Sequence, residues 1–170
     1  SRIMSKEFAD ETALCMNANG IKAYVFESLR PTPELSFAVR KLGCIAGVVI
    51  TASHNPREYN GYKVYDKYGC QLVPQYADKV ISYINNVKDI KSVKHMNLNM
   101  ALSNGYLTYI GDEVLNSYIS EVEKMAVYKE ASDLKIVYTP LHGTGNIPVR
   151  KVLSDMSFAV SVVKEQAVAD

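Results

Sequence analysis

The stretch GVVITASHNPREYNGYKVY, residues 47–65, joins two segments of strand character through a polar loop. Residues 47–50 are apolar and β-branched, as is typical of a buried strand. The chain then breaks into small and polar residues, which places Ser53 and His54 at the mouth of that strand. Asn60-Gly61 tolerates positive φ, and residues 62–65 resume strand alternation. Because α/β proteins place their chemistry at strand ends, this loop is the first candidate site.

Helices and strands alternate on both sides of the loop. The sequence predicts helices over 5–19, 33–42, 74–86 and from Asp112 onward, and strands over 22–26, 46–51, 62–65 and 106–110. Ser5 is predicted to cap the first helix. Residues 88–105 lack periodicity and are predicted to form a long surface loop with at most one short strand. We therefore predict an α/β fold, a mixed sheet covered by helices, with Ser53 exposed at a strand end.

A break near residues 131–134 precedes a second predicted β-α-β unit. Its predicted elements are a strand over 136–138, a glycine loop over 142–145, a helix over 147–153 and a strand over 159–163. We expect residues 1–132 to form a first domain with a truncated N-terminus. Residues 133–170 are expected to be the incomplete start of a second, similar α/β domain. Ser1 is no natural start, so we expect a piece of a longer protein.

Composition excludes several classes of partner. The chain has 19 basic and 18 acidic residues and a formal charge of +1, so it offers no general attraction to nucleic acid or an anionic membrane. No apolar run approaches the length of a membrane span. The odd count of three cysteines, without C-x-x-C spacing, argues against a zinc site or a disulfide framework. A cytoplasmic protein with reduced thiols is the expectation.

Ser53 has three chemical interpretations at this stage: an attacking nucleophile, a phosphate carrier, or a serine that only shapes a turn. Hydrolase chemistry would require a G-x-S-x-G elbow, which Ala52-Ser53-His54-Asn55 is not. Phosphoryl transfer needs an oxygen to carry the group and donors around the phosphate oxygens. A loop of small and polar residues can supply both.

Three segments in register resemble the α-D-phosphohexomutases, the phosphoglucomutase and phosphomannomutase family. The loop TASHNP at 51–56 followed by YNGYK at 59–63 resembles its phosphoserine loop. The segments RPTPEL at 30–35 and TPLHGTG at 139–145 resemble its bacterial phosphoglucomutase branch in the same order. The resemblance covers essentially the whole chain, as most of a first domain and the opening of a second.

The resemblance implies a mutase that interconverts glucose 1-phosphate and glucose 6-phosphate, with mannose phosphates as further candidates. Ser53 would carry the phosphoryl group and donate it to a hexose monophosphate, giving a bisphosphorylated sugar that then returns its other phosphate. Mg²⁺ would bind one oxygen of the Ser53 phosphate, because this ion joins phosphates to carboxylates. A sugar 1,6-bisphosphate would be the activator.

Other residues acquire roles from the same match. Lys63, ten residues after Ser53, matches the lysine that the family uses near the reacting hydroxyl, for proton transfer or for oxyanion stabilisation. On an alternating strand it is expected to face away from Tyr62 and Val64, which would separate an apolar face from a catalytic one. His54 and Asn55 are expected to bind phosphate or support the loop. Arg57 stands where the family often has proline, so its role is left open.

Several family features have no match here. The chain contains no D-x-D, the spacing of the family's magnesium loop. The sugar-binding loops and an N-terminal arginine loop that faces the phosphoserine are also unmatched, so the remaining domains of the same polypeptide are expected partners. His142-Gly143-Thr144-Gly145 lacks a nucleotide-binding pattern and is expected to be a tight strand-to-helix connection. Phosphopentomutase, phosphoglucosamine mutase and a non-catalytic phosphate-binding α/β module remain alternatives.

Overall fold

The computed structural model describes residues 2–127 and 133–168, which are called the first unit and the second unit below. The elements of the first unit are α1 Ser5–Ala18, β1 Ala23–Phe26, α2 Thr32–Lys41, β2 Ala46–Ile50, β3 Tyr62–Asp66, α3 Pro74–Asn85, a 3-10 turn Ile90–Ser92, α4 Leu98–Ser103, β4 Leu107–Ile110 and α5 Asp112–Lys124. Those of the second are β5 Lys135–Tyr138, α6 Asn146–Asp155, β6 Ala159–Val162 and a 3-10 turn Lys164–Gln166.

The strands pair two by two. β1 and β4 are parallel, β2 and β3 are antiparallel, and β5 and β6 are parallel. The predicted α/β class is confirmed, and the first unit mixes both pairing directions. Among the described residues, however, the strands form separate two-stranded sheets rather than one continuous sheet. Helix α1 contacts both β1 and β2, so it brings the two pairs of the first unit under one helix.

One cluster of core residues in the first unit lies between α1, α4 and the β1–β4 pair. Its buried apolar side chains are Ala13, Leu14, Val25, Ala101 and Leu107. Asn17, only 1% exposed, closes the end of α1 because its Nδ2 donates to the carbonyls of Ile21 and Tyr106, each at 2.9 Å. Buried polar groups are usually hydrogen-bonded, and here the amide fixes the residues that lead into β1 and β4.

The two faces of the β2–β3 hairpin can be assigned from one glycine. A Cβ on Gly47 would lie 2.6 Å from Cγ2 of Val39, so position 47 faces α2. Opposite residues of an antiparallel pair share a face, and faces alternate along a strand. Gly47 pairs with Tyr65, and Val49 pairs with Lys63. Lys63 therefore lies on the α2 face of the hairpin.

Two local predictions are wrong. The segment 88–105 is more than a surface loop with at most one short strand, since it contains a 3-10 turn and helix α4. Asn97 begins α4 by accepting hydrogen bonds from the backbone N–H groups of Asn99 and Met100 through its side chain. Ser5 does not cap α1, because Met4 holds the N-cap position and Ser5 is a buried residue of the first turn.

The predicted domain boundary falls mostly on residues 128–132, which lie outside the described residues. The division into 1–132 and 133–170 thus stays a prediction.

No helix in the described parts of the chain has both the length and the apolar character needed to cross a membrane.

Candidate active site

The Ser53 loop leaves the end of β2 in a tight, hydrogen-bonded conformation. Ser53 is exposed and has a φ of 57°, a left-handed conformation uncommon for residues other than glycine. Its N–H donates to Oγ1 of Thr51 at 3.1 Å, and the N–H of Asn55 donates to the carbonyl of Ala52 at 3.2 Å. Unusual backbone conformations of this kind persist only where surrounding contacts hold them, often at functional loops.

Asn60 and Gly61 close the other end of the loop. The N–H of Thr51 donates to the carbonyl of Gly61 at 2.9 Å, which extends the β2–β3 pairing by one step. A Cβ on Gly61 would lie 2.7 Å from the carbonyl oxygen of Thr51, so glycine permits this close backbone approach. The Asn60 side chain accepts from the N–H of Gly61 at 3.0 Å. Both ends of the loop are thereby fixed to the hairpin.

Ser5 connects the loop to the start of α1. Its hydroxyl donates to the carbonyl of Ile50 at 3.1 Å and accepts from the N–H of Arg2 at 3.0 Å and from Nδ2 of Asn60 at 3.1 Å. A hydroxyl has one donor hydrogen and two acceptor lone pairs, so all its bonding capacity is used. Ser5 is 7% exposed, and this complete set of partners explains why a polar side chain can be buried there.

Residues 2 and 3 lie directly against the Ser53 loop. Nη2 of Arg2 donates to the carbonyl of Ser53 at 2.5 Å. The N–H of Ile3 donates to the carbonyl of Arg57 at 3.2 Å, and Nδ2 of Asn60 donates to the carbonyl of Ile3 at 3.1 Å. Arg2 is not among the residues predicted from the sequence, because its contact with Ser53 spans 51 residues and no local pattern indicates it. The polar Ser5 at a buried helix position is the one signal that could have pointed here.

The predicted site residues fall into two places. Ser53, His54 and Asn55 are consecutive and exposed on the loop. Lys63 is half-buried on β3, opposite Val49, and no hydrogen bond or ion pair joins it to Ser53 within the described residues. The buried Tyr65 shares the face of Lys63, so the expected separation of an apolar face from a catalytic face is wrong at this position.

The RPTPEL segment forms a buried ion pair at the start of α2. Nε of Arg30 lies 3.3 Å from Oε1 of Glu34, and the two side chains are 5% and 0% exposed. Burial raises the pKa of Glu34 to about 7, and the neighbouring Arg30 charge opposes that rise. Pro31 is the N-cap of α2 and Pro33 lies in its first turn, where the fixed φ of proline is favourable. This segment therefore has a structural role in the first unit.

The His142 loop is the predicted strand-to-helix connection between β5 and α6. Leu141 and His142 both have positive φ, at 50° and 57°. Three contacts hold them against residues 166–168. The N–H of Leu141 donates to Oε1 of Gln166 at 3.2 Å, the N–H of His142 donates to the Gln166 carbonyl at 2.9 Å, and Nδ1 of His142 lies 2.8 Å from the Val168 carbonyl. His142 is thus engaged with backbone, which fits a structural loop.

The loop offers few ligands for a magnesium ion. Mg²⁺ prefers oxygen ligands, carboxylates above all. Within residues 2–127 and 133–168, no three His, Cys, Asp or Glu side chains cluster closely enough to hold a metal. Ser53, His54 and Asn55 themselves bring no carboxylate to such an ion.

Comparison with known proteins supports the resemblance of the Ser53 loop to the phosphoglucomutase and phosphomannomutase family. The chain is 37% identical over 166 residues to the phosphoglucomutase of Staphylococcus saprophyticus, and 41% identical over 170 residues to that of Staphylococcus haemolyticus. These matches cover 98% and 99% of this chain but only 30% and 31% of the two relatives. The chain therefore spans about a third of the length of the curated relatives it matches.

Solved structures show the same fold. A Thermus thermophilus protein assigned as a phosphomannomutase matches with a TM-score of 0.72 at 23% identity, over 98% of this chain and 36% of that one. A phosphoglucomutase/phosphomannomutase family protein from Burkholderia thailandensis matches with a TM-score of 0.62 at 17% identity, over 90% and 31%. Residues 1–91 match the family model of phosphoglucomutase/phosphomannomutase, alpha/beta/alpha domain I, which is more than half of the chain. The chain thus belongs to the phosphoglucomutase/phosphomannomutase family.

Proposed function

We propose that this chain supplies the phosphoserine of a phosphohexomutase that interconverts glucose 1-phosphate and glucose 6-phosphate. The observation that carries the proposal is Ser53 itself, exposed in a left-handed conformation three residues after β2, inside the segment TASHNP. Strand ends of α/β folds are the usual place for such a group. Because the chain spans about a third of its relatives, the activity is proposed for a longer polypeptide whose other domains complete the site.

The proposed reaction has two phosphoryl transfers. In the first, the bond between Ser53 Oγ and phosphorus breaks while the phosphorus bonds to a hydroxyl of the hexose monophosphate, whose proton passes to a base. The bisphosphorylated sugar then turns over, and its other phosphate returns to Ser53 Oγ. Ser53 Oγ takes up a proton when the first transfer releases it and gives that proton up when the other phosphate returns. The second transfer, from the bisphosphate to Ser53, is also the step by which an added sugar 1,6-bisphosphate would charge the enzyme. Lys63 is the proposed proton carrier or oxyanion partner.

Three further assignments belong to the same proposal. His54 and Asn55, exposed beside Ser53, are proposed to bind phosphate oxygens, since an imidazole and an amide both offer N–H donors. Mg²⁺ would bind one oxygen of the Ser53 phosphate and there stabilise the charge of the transferring group. We also propose a cytoplasmic location, because three cysteines without metal-binding spacing suit a reducing compartment.

The test is phosphate on residue 53 of the intact polypeptide. After incubation with glucose 1,6-bisphosphate, mass spectrometry should find phosphate on Ser53, and mutase activity should be measurable by coupling glucose 6-phosphate to its dehydrogenase. Ser53→Ala should lose the phosphate and nearly all turnover, because it removes the atom that carries the group. Ser103→Ala, at an exposed serine of α4, is the control and should retain both.

A panel of substrates separates the alternatives. Hexose, hexosamine and pentose 1-phosphates assayed in parallel distinguish a glucose or mannose mutase from a phosphoglucosamine mutase or a phosphopentomutase. Persistent absence of phosphate on Ser53, with retained binding of sugar phosphate, would instead identify a non-catalytic phosphate-binding module.

A further inference from the structure

We propose that Arg2 is a positioning residue, which holds the backbone of Ser53 in its left-handed conformation and so sets the direction of the Ser53 hydroxyl. The inference rests on the proposed function, because it assigns a residue to the phosphoryl-transfer step at Ser53. Arg2 acts through the Ser53 carbonyl, which its Nη2 contacts at 2.5 Å. A hydrogen bond from a guanidinium is charge-assisted and stronger than one between neutral groups.

Two contacts fix the two peptide groups on either side of the Ser53 Cα. The N–H before it is held by Oγ1 of Thr51 at 3.1 Å, and the carbonyl after it is held by Arg2. With both peptide planes fixed, φ and ψ of Ser53 are fixed as well, and so is the direction of its Cα–Cβ bond. Rotation about that bond is then the one remaining freedom that orients Oγ. This matters because Ser53 has the φ of 57° that a side-chain-bearing residue does not readily adopt.

Arg2 is itself anchored independently of Ser53. Its N–H donates to Oγ of Ser5, which donates to the carbonyl of Ile50 at the end of β2. The next residue, Ile3, is held by Arg57 and Asn60 from the far end of the same loop. Segment 2–5 thus spans the base of the loop, and the Arg2 side chain extends from this fixed base to Ser53. The guanidinium also places a positive charge beside the residue that would carry phosphate.

The geometry makes a kinetic prediction. Misplacement of a reacting group by about 1 Å can cost on the order of 100-fold in rate. In the intact polypeptide, Arg2→Ala should therefore lower kcat and the rate of phosphate transfer from glucose 1,6-bisphosphate to Ser53 by about that factor, with a much smaller change in KM for the hexose phosphate. Arg2→Lys, which keeps a charged donor, should recover part of the loss. Guanidinium chloride at millimolar concentration should partly restore Arg2→Ala.

Lys22→Ala is the matched control, since it removes an exposed positive charge just beyond the opposite end of α1. Wild-type-like kinetics in Arg2→Ala, with normal phosphate on Ser53, would overturn the inference and leave the proposed function intact. Equal losses in Arg2→Ala and Arg2→Lys, without rescue by guanidinium, would also overturn it. If Arg2→Ala fails to fold, Arg2→Lys and Arg2→Gln provide the comparison, and Lys should be the more active. A wild-type protein that takes no phosphate on Ser53 would overturn both proposals.

Discussion

In the proposed reaction Ser53 must supply a hydroxyl, yet its backbone has a left-handed conformation that favours glycine. Alanine and glycine at this position should therefore separate these two requirements. Both Ser53→Ala and Ser53→Gly should be inactive as mutases because each lacks Oγ. Ser53→Gly should nevertheless be the more stable of the two, by about 1 kcal/mol, since a left-handed φ costs a residue with a Cβ roughly that much. Urea unfolding of both variants measures the difference, and greater stability in the alanine variant would contradict this account.

Lys63 should affect the chemical step. Lys63→Met keeps the aliphatic stem that shares a face with Tyr65 but removes the charge. If Lys63 transfers a proton or stabilises the developing charge, kcat of the intact enzyme should fall by roughly 10²- to 10⁴-fold. Lys67→Met, at an exposed position directly after β3, should be close to wild type. A rise in KM at unchanged kcat would show instead that Lys63 only binds ground-state phosphate.

Which site residues can be predicted from the sequence depends on how far along the chain their contacts reach. Ser53 could be located because its signals are local: an apolar run that breaks into a polar motif at a strand end. The face of Lys63 could be assigned relative to Tyr62, but not the burial of Tyr65, which depends on α2 packing against Gly47. Arg2 could not be found, because nothing in residues 1–5 encodes a contact with residue 53.

At the scale of elements, α2 carries a pH-dependent contribution to stability. The folded pKa of Glu34 is about 7, against an ordinary value of 4.5, because the carboxyl is buried with only Arg30 opposing the shift. The folded state thus holds this proton more tightly than the unfolded state. The stabilisation of the folded state by this proton is therefore complete below pH 4.5 and is lost as pH rises through 7. Its size is at most about 3 kcal/mol, from 1.36 kcal/mol per pKa unit.

Glu34→Gln removes this titration. Between about pH 4.5 and pH 8, the free energy of unfolding of wild type should therefore fall relative to that of Glu34→Gln. Urea titrations at several pH values check this, with Glu113→Gln at an exposed position of α5 as the control that should show no such trend. A difference that stays flat, or that rises with pH, would mean that the ion pair with Arg30 dominates over burial.

The elements themselves were largely predictable, and the exceptions have a common cause. α1, α2, α3 and α5 have strong periodicity or clear end signals such as Pro33 and Pro74, and each was predicted within a few residues. α4 was missed because it is only six residues long and depends on the Asn97 side chain for its start. The sequence predicts Ser5 as a cap because a capping serine and a buried serine cannot be told apart from the local pattern. Pairing between strands depends on tertiary packing, which explains why one continuous sheet was expected where separate pairs are found.

At the scale of the whole molecule, the chain holds one part of the proposed chemistry in a well-supported loop. The network of segment 2–5, the hairpin and Asn60 fixes Ser53 without any group from outside the described residues. The second unit also has a loop with positive φ directly after a strand, at Leu141 and His142. There the loop is held by the backbone of residues 166–168, and no phosphate-carrying role is assigned to it. We therefore expect the first unit to carry the phosphate and the second unit to have another role.

The 170-residue chain by itself should be inactive as a mutase. Phosphoryl transfer depends on positioning and on stabilising the charge of the transferring group, and both need groups on several sides of the phosphate. This chain offers Ser53, its neighbours and Lys63, but no D-x-D segment for magnesium and no match to the family's sugar-binding loops. The chain alone should therefore show no conversion of glucose 1-phosphate to glucose 6-phosphate, whereas the intact polypeptide should show it under the same assay. Circular dichroism on the chain, to verify its fold, is the necessary control. Robust turnover by residues 1–170 alone would contradict the proposed division of the site, because the whole reaction would then depend on the residues described above.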